Sequence, residues 1–183
     1  MTPDAFVVLV LALLGALIGS FSNVLIYRMP RRESVAFPPS HCPSCDRPLS
    51  PIDLVPILSW AFLRGRCRTC RAPISARYPL VELLTALGYA LLGILLPWSQ
   101  VGVTLVGLCA LFTLLLVIAF IDAETRTIPD ELVLPGIALG VLVGLLNERG
   151  GGAAAGLPDL ARAWQGALLG AGVISLIAIF GAW

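Results

Sequence analysis

The chain has 183 residues, is 58% hydrophobic, has a mean hydropathy of +0.93 and carries a formal charge of only +1. About half of a soluble domain is apolar, so this excess points to a membrane protein. All 12 basic residues are arginine, and nine lie between Arg28 and Arg77 against three acids (Glu33, Asp46 and Asp53), a local charge of +6. Such an island between apolar spans, with few aromatics, reads as a cytoplasmic loop rather than a nucleic-acid surface.

Ala5 to Tyr27 is the first span, apolar except for Ser22 and Asn23 near its Arg28 end. At about 1.5 Å per residue it covers the roughly 30 Å hydrocarbon core. It is too long for a signal h-region, has no basic residue before it and no small-residue cleavage site after it. Arg28, Arg31 and Arg32 follow directly, which places the N-terminus outside and Arg28 in the cytoplasm. Residues 28–79 form a loop whose middle, Ile52 to Leu63, is apolar but too short to span. It is expected to be a small core or a segment lying on the membrane surface. Leu80 to Leu96 is a second, marginal span, and Val101 to Ile121 a third, with Trp98 at the interface between them. Asp122 to Glu131 reads as a polar loop, Leu132 to Leu146 as a short fourth span, residues 147–162 as a flexible Gly/Ala-rich stretch, and Trp164 to Trp183 as a fifth span. The fold class is an all-α polytopic membrane protein of about five transmembrane helices, with Asp122 on the cytoplasmic face. Gly15 and Gly19, Gly136, Gly140 and Gly144, and Gly166 and Gly170 recur at four-residue spacing, which lets helix backbones approach in lipid. No long repeat is evident.

Within the loop, Cys42-Pro43-Ser44-Cys45 is followed after 21 residues by Cys67-Arg68-Thr69-Cys70. Two such knuckles in one short domain can converge on a tetrahedral Zn²⁺ through four thiolates. Disulfides or reactive thiol pairs are the other reading, and the reducing cytoplasm disfavours disulfides. Four ligands leave no position open to a substrate, so the site is expected to be structural, supplying folding free energy to a loop with little core of its own. His41 is expected to be a bystander, and Cys109, within the third span, a small buried hydrophobe.

Asp122 closes the third span where water and lipid meet. Ionisable groups near the membrane are functional candidates. Two acids close together can share a proton, one acting as general acid while the other activates water. Asp122 as a plain interfacial acid, paired with Arg126, remains open. Asp130 just before Leu132 suits the N-cap of the fourth helix, with Glu131 in its first turn. Glu82, near the cytoplasmic start of the second span, is expected to pair with a loop arginine such as Arg77 or to line the site.

Residues 19–30, Gly-Ser-Phe-Ser-Asn-Val-Leu-Ile-Tyr-Arg-Met-Pro, resemble the N-terminal signature of type IV prepilin leader peptidases. Leu58-Ser59-Trp60, Arg64-Gly65-Arg66-Cys67, residues 74–82 and Asp122 through Asp130 resemble that family's further motifs in the same order. The resemblance implies an intramembrane aspartic peptidase. It would cut the basic leader from type IV prepilins and type II secretion pseudopilins at the cytoplasmic face of the bacterial inner membrane. It also implies N-methylation of the new N-terminal residue with S-adenosylmethionine, and zinc on Cys42, Cys45, Cys67 and Cys70. The first catalytic aspartate then falls on Asp122, with Asp130 and Glu82 as supporting candidates. The implied domains are residues 1–27, a first helix; 28–79, the zinc loop; and 80–183, a partial peptidase domain. Membrane lipid and a pilin-type substrate are the expected partners, and no nucleic acid.

The family's second aspartate belongs to a Gly-x-Gly-Asp motif. Here Gly170-Ala171-Gly172-Val173 has the glycines but carries valine. The chain accordingly reads as truncated before that motif, and these residues alone are expected not to cleave. The alternatives are a non-catalytic membrane zinc-loop scaffold, if the chain truly ends at Trp183, and a methyltransferase without peptidase activity.

Overall fold

The computed structural model describes residues 3–96, 98–149 and 164–165. Helix α1 spans Pro3–Arg28 and is followed by a 3₁₀ turn at Met29–Arg31. After a 3₁₀ turn at Pro51–Leu54 come a five-residue helix, α2 (Leu58–Phe62), then α3 (Arg77–Leu95), α4 (Trp98–Thr125) and α5 (Asp130–Arg149). The described residues contain no strand, only two isolated β-bridges. Long runs of Leu, Val and Ala form helices because in lipid a helix satisfies every backbone group internally.

Three of these helices are long and apolar enough to cross a membrane: Ala5–Arg31, Arg77–Leu95 and Thr104–Thr125. The expected fourth span is helical as α5, but Asp130 and Glu131 occupy its first turn, Pro135 lies inside it, and it is not among the three. The expected fifth span and the stretch at 170–173 lie outside the described residues, apart from positions 164–165.

The boundary between α4 and α5 corrects the expectation of a loop from Asp122 to Glu131. Helix α4 runs on through Thr125. It ends where Arg126 turns into the left-handed region (φ 54°) and its N–H donates to the Asp122 carbonyl at 2.7 Å. Pro129 then leads straight into α5, leaving only residues 126–129 as loop.

Helix α1 packs chiefly on α3, and glycine sets the separation. A Cβ on Gly15 would sit 2.7 Å from the Thr85 carbonyl oxygen, and one on Gly19 would sit 2.7 Å from the Cα of Glu82. The expected small-residue packing is therefore real at this pair. At Gly140 a Cβ would meet nothing within 4 Å. The close approach brings polar side chains together inside the bundle. Thr85 donates to the Val81 carbonyl at 2.8 Å, Ser22 to that of Ile18 at 2.8 Å, and the Asn23 amide reaches across to the Tyr78 carbonyl at 3.1 Å.

Two apolar clusters tie the helices. Leu11, Tyr89, Leu105 and Cys109 meet in one, which buries Cys109 as expected. Ile26, Val81, Val117 and Ile121 meet in the other. Leu9, Leu13, Leu17 and Phe21 of α1 and Leu80, Leu83, Leu87, Leu91 and Ile94 of α3 face outward. Such broad apolar faces would be a liability in water, but they suit lipid.

The loop between α1 and α3 has no apolar core. The apolar middle is split between the 3₁₀ turn and α2, with Ile52 66% and Phe62 84% exposed. Polar clamps hold it instead. Asp53 caps its own 3₁₀ turn with Ser50 and accepts from Arg47 at 2.9 Å and Arg68 at 2.8 Å. Burial alone would push the Asp53 carboxyl up. The hydrogen bonds from Ser50, Arg68 and Arg47 outweigh it and hold the group well below its ordinary 3.8. Arg28, itself buried, donates to the carbonyls of Ser34 and Pro38 at 2.8 and 2.7 Å.

Two outcomes follow. Gly19→Ala is expected to lower stability by about 1–3 kcal/mol, because the contact it violates is backbone. Gly140→Ala should gain about 0.5–1 kcal/mol, and thermal unfolding in detergent compares the two. Because Asp53 is held below its unfolded value, its clamp is fully present above about pH 4 and is lost as pH falls through the lowered folded value. The protection of the Ser50 and Asp53 amides, taken relative to their intrinsic exchange rates, should therefore fall at strongly acid pH, and in Asp53→Asn it should already be low at pH 7.

Candidate functional site

The four loop cysteines converge as expected. Their Sγ atoms all lie within 4.8 Å of one another, and Cys42 and Cys70 are 3.8 Å apart. A tetrahedral ion with bonds of about 2.3 Å to sulfur places its ligands roughly 3.8 Å from each other, the separation of Cys42 and Cys70, so this donor set fits such an ion with a small contraction of its longer separations. Cys42 and Cys67 are buried, Cys45 and Cys70 exposed. His41 is exposed and its Nδ1 lies 3.2 Å from the Pro39 carbonyl, outside the set.

The two knuckles are copies of one turn. Cys42 N–H donates to the Arg47 carbonyl at 2.9 Å, and Cys67 N–H to that of Ala72 at 2.8 Å. Asp46 and Arg71 both take left-handed backbone (φ 53° and 61°) and donate back to the Cys42 and Cys67 carbonyls. His41 bridges Pro48 and Arg66 bridges Pro73. Behind this lies a short repeat, Cys-x-x-Cys-x-x-Pro-[Leu/Ile]-Ser, at 42–50 and 67–75. A search for long repeats passes over it. Before any metal enters, the N–H groups of Cys70 and Thr69 pull the Cys67 thiol down to about 6. The N–H of Ala72 pulls Cys70 down too, but burial and bonds to the neighbouring thiols outweigh it and raise that group to about 11.

Glu82 is buried and does not pair with Arg77. Its Oε2 accepts the N–H of Ile57 at 2.6 Å, and Ile57 is a β-branched residue in left-handed backbone (φ 62°). Helix α3 thereby holds a strained turn of the loop in place. Arg77 instead bonds Glu124 at 2.6 Å, joining the start of α3 to the last turn of α4.

Asp122 sits on that last turn. Its neighbour Ile121 is fully buried against Ile26, Val81 and Val117, which fixes the depth of the helix end. The Asp122 side chain is exposed and makes no hydrogen bond or ion pair among the described residues, so the expected partner Arg126 meets it only through the backbone. Asp130 lies within the first turn of α5 rather than before it. Among the described residues its side chain makes no hydrogen bond or ion pair, either with Asp122 or as a cap. Its charge, like that of Glu131, favours the helix N-terminus.

Between the cysteine loop and the adjoining ends of α1 and α3 lies an open cleft of about 780 Å³. Asn23 and Glu82 form its helical wall, Arg47 and Trp60 its loop wall. Asn23 was legible in the sequence only as a polar interruption of an apolar run, although such residues in a membrane segment are costly and seldom idle.

The bacterial peptidase A24 N-terminal domain matches residues 13–96, and the type IV leader peptidase family matches residues 109–183. A prepilin leader peptidase/N-methyltransferase of Klebsiella pneumoniae is 41% identical over 192 residues, covering 94% of this chain and 83% of that protein. Its counterpart in Dickeya chrysanthemi is 37% identical over 211 residues, covering 96% and 74%. No solved structure matches. Four thiols gathered in a loop between the first two membrane helices, an aspartate at the end of a third and this similarity along both halves agree: the chain belongs to the type IV leader peptidase family.

Proposed function

We propose that this protein removes the leader peptide from prepilins and pseudopilins at the cytoplasmic face of the bacterial inner membrane and methylates the N-terminus it exposes. The observation that carries this reading is the cluster of Ile26, Val81, Val117 and Ile121. It brings the end of α1, the start of α3 and the end of α4 to one level, so that the cysteine loop and Asp122 share one end of the bundle. The arginines of the loop favour the cytoplasm for that end. A prepilin presents a basic leader in water and an apolar helix in lipid, and the bond between them lies at this depth. The relatives' names support both activities.

In this reading Asp122 is one of two carboxylates that share a proton. One takes a proton from the attacking water, the other gives one to the departing nitrogen, and the products are the leader's carboxylate and a free α-amine. Asp130 is assigned to the helix terminus, and Glu82 to anchoring Ile57. Cys42, Cys45, Cys67 and Cys70 hold structural zinc, and with four protein ligands it leaves no position for substrate. S-adenosylmethionine supplies the methyl group.

In the full-length gene product, assayed in membranes with a prepilin substrate, Asp122→Ala is expected to lower the rate of cleavage by about 10²-fold or more. Wild-type cleavage by the variant would assign Asp122 to the interface only and favour the scaffold reading. Cys42→Ser should abolish stoichiometric zinc, measured by atomic absorption on the purified protein. It should also expose residues 40–75 to protease, as chelation of the wild type should.

A further inference from the structure

We propose that the exposed apolar side chains of Ile52, Val55, Leu58 and Phe62 lie in the headgroup layer of the bilayer, so that the cysteine loop is moored to lipid as well as to α3.

The depth of this segment follows from one hydrogen bond. Ile57 donates its N–H to Glu82 at 2.6 Å, and the Cα of Glu82 lies against Gly19, where a Cβ would sit 2.7 Å away. Gly19 precedes Arg28, the last residue of α1, by nine positions, roughly 13 Å along the axis. The Glu82 side chain leans back toward the start of α3 and recovers only part of that distance. Helix α1 has 26 residues, about 39 Å against a hydrocarbon core of roughly 30 Å, so its last turn stands among the headgroups. The Ile57 amide therefore sits beside the flank of α1, near the boundary of headgroups and acyl chains, instead of above the end of the bundle. The cleft marks the same level: its helical wall includes Ser20, Asn23 and Tyr27, and Trp60 lines it from the loop. At this level Leu80 and Leu83 of α3 already face outward.

The chemistry of the segment suits that depth. In α2 the indole of Trp60 turns inward, donating to the Ile74 carbonyl at 3.1 Å and packing on Gly65. Leu58, Ala61 and Phe62 are left on the outer face, with Leu58 55% and Phe62 84% exposed. Ile52 and Val55, just before, are exposed as well. In water such a group of large side chains is a liability, whereas at the interface it inserts where the lipid tails begin. Arg64 and Arg66 follow, both exposed and without a side-chain hydrogen bond or ion pair among the described residues. An apolar face bordered by free guanidinium groups matches the layering of a leaflet, with tails beneath phosphates. The same charge argues against a second copy of this chain as the occupant, since its loop would bring the same arginines.

The test is photo-cross-linking of the full-length gene product in nanodiscs of phosphatidylethanolamine and phosphatidylglycerol, doped with a phospholipid that carries a diazirine near the start of its acyl chain. Label per residue on 52–62 is expected to be within about threefold of that on the outward residues of α3, and about tenfold or more above that on the knuckles at 42–50 and 67–75. In the double variant Leu58→Asp with Phe62→Asp, whose charges are costly at that depth, label on 52–62 is expected to fall by about fivefold or more. Label on α3 and the thermal midpoint should stay at their wild-type values, which shows that the variant has folded. Label on 52–62 no higher than on the knuckles overturns the proposal, whether water, a second copy or a prepilin covers the face. So does a folded double variant whose label on 52–62 stays at the wild-type level.

Discussion

The near-contact of α1 and α3 through Gly15 and Gly19 sets the geometry of everything at the loop end of the bundle. With no side chain at either position, α1 rests against the backbone of α3 at Thr85 and at Glu82. Only at that distance does the Asn23 amide reach the Tyr78 carbonyl. Because the loop begins at the end of α1 and ends at the start of α3, the same contact fixes the separation of its two stems. The glycines thus set the width across which the cysteine pairs must meet and across which the cleft opens.

Within that width the loop folds on polar terms. It buries few large side chains, and its longest apolar stretch lies mostly on the surface. Its order comes from charged clamps, Arg47 and Arg68 on Asp53 and Arg28 on two carbonyls, and from four thiols drawn together by paired turns. A domain of this size seldom stands without a metal or a cross-link. One strand of that polar network leaves the loop: Arg77 reaches Glu124, two positions from Asp122. The two halves matched by separate family domains are joined there by an ion pair as well as by the apolar cluster around Ile121.

Much of this was legible in the sequence because the signals are local. Apolar runs mark the membrane helices, and Cys-x-x-Cys pairs mark a metal cluster whatever surrounds them. Asp122 stood out because an ionisable group where an apolar run meets water is a functional candidate. What escaped depends on partners distant in the chain. Whether Arg77 takes Glu82 or Glu124 is decided by how α3 lies on α4. Glu82 is drawn instead to Ile57, whose strained backbone no propensity scale would propose. Helix α4 overran its expected end at Ile121 because apolarity fades there while the hydrogen-bond pattern persists to Arg126. The repeat at 42–50 and 67–75 was hidden by its brevity, since few positions recur and the spacer between them does not.

The pairing of the knuckles also dictates an order of assembly. Each turn brings two thiols, and neither can complete a four-sulfur shell alone. During synthesis the first knuckle must wait, with α1 already available to the membrane, until Cys70 has emerged. Arg77 and the first turn of α3 come directly after it. A metal held by all four thiols would therefore be captured only as the start of α3 emerges, and the closed loop would then present α3 to α1 at the spacing their glycines require. A ribosome paused between Cys45 and Cys67 would hold a half-site that no second copy of itself in the same chain could yet complete.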